Sequence, residues 1–279
     1  MSYRTILVHV DGSGRAQERI NIAAQLALTN QGHLIGAAMT GMSRALYPSG
    51  ILDTTAIDFA AILDVLREQA EHALVTFDSL AQQIGVPSFE RQLLDDEAGD
   101  GMSLQARYCD LVVIGQTDPN DASPVVASDF PENVVMRSGR PVLIIPYAGH
   151  FETVGKRPLI AWDASIAAAR AVANALPFLQ RADKVDVLVV NPKKYADVHG
   201  DMPGADIARY LVRHHVNVNV TQQNVTIPVA DALFALSTDI SADLIVMGGY
   251  GHTRFRELLL GGVTRTVLTA MTVPVLMSH

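Results

Sequence analysis

The fold of this chain turns on the stretch Asp243-Leu-Ile-Val-Met-Gly-Gly-Tyr-Gly-His-Thr-Arg-Phe-Arg-Glu-Leu-Leu-Leu-Gly-Gly-Val-Thr-Arg-Thr266. Leu244 to Met247 is a short apolar run, the pattern of a strand buried on both faces of a parallel sheet. It empties into Gly248, Gly249 and Gly251; nine residues further on come Gly261 and Gly262, which lead into a helix at Val263-Thr264-Arg265. Glycine has no side chain in the way, so backbone N–H groups here can approach a phosphate at a helix N-terminus. The same glycines also suit a crossover whose only purpose is close packing of helix on strand. His252, Arg254, Arg256 and Arg265 favour an anion, and no carboxylate follows the strand until Glu257.

Working outward, 279 residues suit two medium domains, each able to bury a core. The chain is 49% apolar but only 6% aromatic, a compact α/β composition. The single cysteine, Cys109, excludes an intrachain disulfide and a cysteine-rich metal site, and its place before an apolar run predicts a buried, inert thiol. The opening Met-Ser-Tyr-Arg-Thr-Ile-Leu-Val-His-Val-Asp-Gly-Ser enters a strand at once, without the regions of a signal peptide. No run is long enough for a membrane span, so a soluble cytoplasmic protein is expected. A net charge of −8 argues against nucleic acid as a general partner. Residues 1–150 carry −9 and residues 151–279 carry +1, so the second half is the better host for an anion.

Strands are predicted at Thr5–Val10, His33–Met39, Val86–Leu94, Leu111–Ile114 and Pro141–Ile145, with helices at about 16–29, 56–84 and 101–108. The long helix carries an apolar stripe of Phe59, Ile62, Leu63, Leu66, Ala70, Ala73, Leu74 and Phe77. The order then recurs. Strands at Pro158–Trp162, Val185–Val190, Val216–Val225, 244–247 and Val273–Met277 alternate with helices near 165–179, 203–214 and 229–238. Asp110-Leu-Val-Val-Ile-Gly115 repeats as Asp243-Leu-Ile-Val-Met-Gly248 at an offset of 133, and Asp11 repeats as Asp163 at 152. The extra 19 residues of the first half are assigned to the loop and helix of 43–84, and polar residues 149–157 are the linker. Alternating strands and helices imply a doubly wound parallel sheet in each half.

The spacing Gly248-x-x-Gly251, nine residues, Gly261 resembles the nucleotide-binding signature of the universal stress protein family. The Met-Gly strand end, the Glu-Leu-Leu-Leu run, the Val-Thr after the second glycine pair and the closing Val-Pro-Val strand extend the match. Neither a Walker A loop nor a G-x-G-x-x-G fingerprint is present. The resemblance covers nearly the whole chain and implies two tandem, pseudo-twofold-related domains, 1–148 and 156–279. Each would be a five-stranded, Rossmann-like unit of the adenine nucleotide alpha hydrolase type. It also implies an adenine nucleotide, ATP or AMP with or without Mg²⁺, as ligand in a stress response. The site implied is Ala161, Trp162, Asp163, Val190, Met247, Gly248, Tyr250, Gly251, His252, Arg254, Gly261, Gly262, Val263 and Thr264. Family members pair antiparallel through their last strands; a fused chain can satisfy that pairing internally, and a further homodimer is compatible. One position departs from the pattern: Gly262 stands where the family has Ser or Thr, removing a phosphate-contacting hydroxyl worth about 0.5–1.5 kcal/mol. Thr264 and Thr253 are candidate replacements.

At the offset of 133, Gly251, Arg254, Gly262 and Arg265 become Asp118, Asp121, Asp129 and Glu132, and Pro119 and Pro124 remove donors. The first half is therefore expected not to bind nucleotide. Asp163 can serve the ligand or cap the helix near Ser165, and Val190 and Met247 can serve the ligand or the core alone. Lys193-Lys194 reads as a solvated loop or as a pair that reaches a triphosphate, His214-His215 as a helix end, and His9 as a buried histidine without an evident partner. No metal-binding histidine pair, nucleophile elbow or carboxylate pair occurs at useful spacing, so at most weak ATP hydrolysis is expected. The rival readings are a stress protein acting through protein contacts without nucleotide, and a true enzyme, such as an ATPase or a nucleotidyl transferase, built on the related fold.

Overall fold

The computed structural model describes residues 2–41, 59–121, 125–192, 202–250 and 262–279. The described chain divides into two compact units, Ser2–Arg140 and Pro141–His279.

The first unit contains β1 (Thr5–His9), α1 (Ala16–Asn30), β2 (His33–Met39), α2 (Phe59–Ile84), β3 (Phe89–Leu94), α3 (Ala98–Gln105), β4 (Leu111–Gly115) and α4 (Phe130–Arg137). A 3₁₀ turn, Ala106–Tyr108, follows α3, where a single helix was expected. The strands are parallel in the order β3-β2-β1-β4. Ile6, Leu7, Leu111 and Ile114 are fully buried because helices cover both faces of such a sheet.

The helix α2 buries Leu66, Ala70, Ala73, Leu74 and Phe77, as its stripe predicts. Ile62 and Leu63 depart from that expectation, being 39% and 43% exposed. The cause is length: α2 has 26 residues and α1, against which it packs, has 15. At a rise of about 1.5 Å per residue, α2 overhangs its neighbour. Most of the loop that precedes α2 lies outside the described residues. The helix α4 was not foreseen; it is the first-half copy of the helix that follows Gly262, at the same offset of 133, and Pro131 sits in its first turn, where the missing N–H costs nothing.

The second unit contains β5 (Val142–Ile145), β6 (Pro158–Ala161), α5 (Ile166–Leu179), β7 (Val185–Val190), α6 (Ala205–Arg213), β8 (Val218–Gln223), α7 (Val229–Asp239), β9 (Leu244–Gly248), α8 (Gly262–Ala270) and β10 (Val275–Ser278). The order is β5-β10-β9-β6-β7-β8. All pairs are parallel except β5 with β10, which run antiparallel with Leu143 opposite Leu276. Here the strand that closes the first repeat pairs with the strand that closes the second, so the internal pairing expected of a fused chain is realised within this unit.

The repeated Asp110 and Asp243 do the same work. Asp110 Oδ2 accepts from the Arg4 and Thr5 N–H groups at 2.7 and 3.0 Å, anchoring the start of β1. Asp243 accepts from Lys156 N, Arg157 N and the Thr153 hydroxyl at 2.8–2.9 Å, anchoring the approach to β6. One carboxylate thus satisfies several backbone donors at once, with charge-assisted bonds.

Candidate functional site

In the second unit, β6 lies between β9 and β7, and the chain leaves it in opposite directions. That is the switch point at which an open parallel sheet has a crevice beyond its carboxyl ends. Register brings the expected residues together: Ala161 is paired with Met247 on one side and Leu188 on the other. The Trp162 N–H extends the ladder to the Leu188 carbonyl at 2.9 Å. Val190 ends β7 half-buried, and Met247 is 5% exposed, so the side chain of Met247 belongs mainly to the core.

Asp163 is exposed just past β6, and its carboxylate accepts from the Ser165 N–H at 2.9 Å. The cap of α5 is Ser165, whose hydroxyl accepts from Ala168 N at 3.1 Å. The expected capping role therefore falls to Ser165, and Asp163 braces the turn in front of it, which includes Ala164 at φ +60°.

Gly248 has a tightly defined neighbourhood: a Cβ there would lie 2.5 Å from Ala168 N and 2.7 Å from Ala167 C. The first turn of α5 rests on the bare end of β9, so close packing accounts for this glycine by itself. Beyond it, Gly249 N donates to Ser278 O at 2.9 Å, and Tyr250 takes a positive φ of +58°. The Tyr250 N–H donates to the Thr264 hydroxyl at 3.3 Å, and Thr264 is buried at 4%. That hydroxyl ties the strand end to α8. Gly262 opens α8, exposed, and among the described residues no atom lies within 4 Å of a Cβ built on it; Val263 follows half-buried. Gly251, His252, Thr253, Arg254 and Gly261 lie outside the described residues, as do Lys193 and Lys194. Among the described residues, no group of three or more His, Cys, Asp or Glu side chains is placed to hold a metal ion.

The same crevice in the first unit is built differently. His9, the last residue of β1, is 1% exposed and tilts against Phe130, ring centroids 4.9 Å apart. Its Nδ1 is 3.4 Å from Asp11, the partner the sequence did not suggest. Burial lowers the His9 pKa to about 4; the Asp11 charge opposes that shift and the Arg19 charge adds to it. Burial alone would raise Asp11, but Arg19, His9 and the Ser13 hydroxyl outweigh it and hold the carboxyl well below the usual range. Arg19 completes the cluster, 3% exposed. It was not singled out from sequence, although its alignment with Ala171 at the offset of 152 marks the one place where a charged side chain replaces a small one in this helix turn. Cys109 is buried, and burial together with Asp110 pushes its thiol up to about 11, the inert state expected. In the acidic loop after β4, Asp118 accepts from Asn120 N at 2.8 Å, and Asp129 immediately precedes α4 without a side-chain capping bond. No helix among the described residues is long and apolar enough to cross a membrane.

Against this geometry, similarity to known proteins is consistent along the chain. No curated protein matches it. A universal stress protein from Archaeoglobus fulgidus DSM 4304 shares the fold with a TM-score of 0.74 at 19% identity, covering 98% of this chain and 95% of that one. A functionally unknown protein from Pseudomonas aeruginosa PAO1 gives 0.61 at 17%, covering 99% and 92%. A universal stress protein from Archaeoglobus fulgidus in complex with dAMP matches 52% of this chain and 98% of its own, with a TM-score of 0.36 at 20% identity. The model of the universal stress protein family matches residues 2–146 and again residues 156–279. The chain therefore belongs to the universal stress protein family, with the family's domain present twice in tandem.

Proposed function

We propose that the second half binds an adenine nucleotide, ATP or AMP, and that the chain acts as a nucleotide-dependent regulatory module in a stress response, in the cytoplasm. The functional division runs 1–148 and 156–279, with the nucleotide in the latter. The observation that carries this reading is the convergence of Ala161-Trp162-Asp163, Val190 and Met247-Gly248 at the carboxyl ends of three adjacent strands, beside the start of α8 at Gly262. Adenine would lie toward Val190, the ribose toward Asp163, and the phosphates toward Gly251, His252, Arg254, Gly261, Gly262 and Val263. Mg²⁺ would travel with the phosphates of ATP. The Tyr250 N–H donates to the Thr264 hydroxyl, so these two residues would hold the end of β9 against α8 beside the nucleotide. A homodimer of the tandem chain is compatible with this role, and hydrolysis is slow or incidental.

The test is the nucleotide content of freshly purified protein, followed by calorimetric titration with ATP, ADP and AMP. About one adenine nucleotide per chain is expected, lost in Gly251→Trp while the fold is kept. Intact binding in that variant would overturn the site.

A second reading, an interaction protein without nucleotide, draws on two observations. Gly248 is accounted for by the approach of α5, and Gly262 lacks the family hydroxyl. No binding heat at millimolar ligand would select it. Turnover abolished by changing Asp163 or His252 would instead select an ATPase.

A further inference from the structure

Arginine is almost never fully buried unless paired, and Arg19 is 3% exposed. Its guanidinium sits at the carboxyl ends of β1 and β4, where the first unit has its own switch-point crevice. Nε donates to the His9 carbonyl at 2.7 Å, and Nη2 donates to the Asp11 carboxylate at 2.8 Å. A Cβ built on Gly115 would fall 2.6 Å from Nη1, so the guanidinium lies against the bare end of β4. Asp11 and Gly115 are the counterparts of Asp163 and Gly248 at the offsets of 152 and 133. In the second unit Asp163 is exposed, Ala171 stands at the position of Arg19, and the bare glycine receives the backbone of α5 rather than a cation.

We infer that Arg19 is a tethered ligand of the first unit: its guanidinium occupies the carboxyl ends of β1 and β4 and takes up the Asp11 carboxylate, whose counterpart Asp163 stands exposed in the second unit, where an exogenous ligand can reach it. The comparison between units rests on the nucleotide reading above. The occupancy of the first unit does not. Three fixed contacts, to a carbonyl, a carboxylate and a bare Cα, match the planar fork of arginine, which lysine cannot reproduce. The first unit is in this sense permanently liganded, and its stability is independent of nucleotide.

The experiment uses the full chain and methylguanidinium, at low millimolar concentration, as the probe. Arg19→Ala lowers Tm, and methylguanidinium restores it saturably by about 2–4 °C. Wild type does not respond, and neither does Arg19→Ala/Gly115→Ala, whose added Cβ fills the vacated place. Gly115→Ala lowers Tm in the wild-type background and leaves Arg19→Ala unchanged, because the atom it collides with is gone. A folded Arg19→Ala chain that ignores methylguanidinium, or an equal cost of Gly115→Ala in both backgrounds, overturns the inference. If Arg19→Ala does not fold, the Arg19 Nε–H resonance decides. It is protected from exchange in wild type and loses protection in Gly115→Ala; unchanged protection refutes the contact. ATP titration of Gly251→Trp reads the second unit alone, so a failure of the nucleotide reading is told apart from a failure of this one.

Discussion

Lowering the pH from 7.5 to 4.5 should weaken the first unit through His9. The imidazole is 1% exposed at the end of β1, and burial lowers its pKa from 6.5 to about 4. A depressed histidine pKa means that the unfolded chain takes up the proton first. Stability is therefore complete above pH 6.5 and falls as pH drops toward 4, with the slope set by the extra proton bound in the unfolded state. Integrated between pH 7.5 and 4.5, this loss is about 2–3 kcal/mol. The charges that face the ring oppose one another: Asp11, 3.4 Å away, favours the imidazolium, and Arg19 disfavours it. Asp11 does not contribute to the slope in this window, because its own depressed pKa keeps its stabilisation in place until the pH falls below the ordinary carboxylate range. The assay is urea denaturation at half-unit pH steps, comparing wild type with His9→Leu. The difference in unfolding free energy between the two should change by about 2–3 kcal/mol across the window, with wild type the one that loses. Parallel curves would show that His9 does not change its proton count on unfolding. A wild type that gains on acidification would show that Asp11 wins over burial and that the cluster holds an imidazolium.

Other substitutions test the remaining contacts. Gly262→Ser restores the family hydroxyl at a position that no atom of the described residues crowds, so ATP affinity by calorimetry should rise up to about tenfold with no change in Tm. Gly248→Ala drives a methyl into the backbone of α5 at 2.5–2.7 Å and should cost about 1–3 kcal/mol by urea denaturation; a neutral Gly248→Ala would mean that α5 does not rest on β9. Asp243→Ala removes the acceptor shared by Thr153, Lys156 and Arg157. It should cost about 1–3 kcal/mol and speed hydrogen exchange at Lys156 and Arg157, and unchanged exchange there would refute the anchor.

Much of the architecture could be read before any coordinates because its signals are local. Buried parallel strands appear as uninterrupted apolar runs, and Leu111–Gly115 and Leu244–Gly248 lie where the runs predict, 133 residues apart. Helix ends are softer: the helix expected to begin at 101 begins at Ala98, where the Glu97 side chain accepts from Asp100 N. The short helix Phe130–Arg137 is hard to read because eight residues with an early proline carry little periodicity; its only sequence signal is the repeat offset of 133. Helical spacing puts Ile62 and Leu63 on the core stripe, but spacing cannot report how far a neighbouring helix extends, and both are exposed.

The sequence by itself determined the duplication, the strand and helix order, the family and the acidic character of the first-half loop, since each follows from residue type and spacing along the chain. Only the tertiary structure decided what stands in each crevice. Gly248 answers to the backbone of α5, Thr264 to Tyr250, and Asp11 and His9 to Arg19. Those contacts depend on the register of strands and on the angle at which a helix crosses the sheet. A guanidinium eight residues beyond its carboxylate is, in sequence, one more charge on a helix; over the bare end of a neighbouring strand it becomes the occupant of a site.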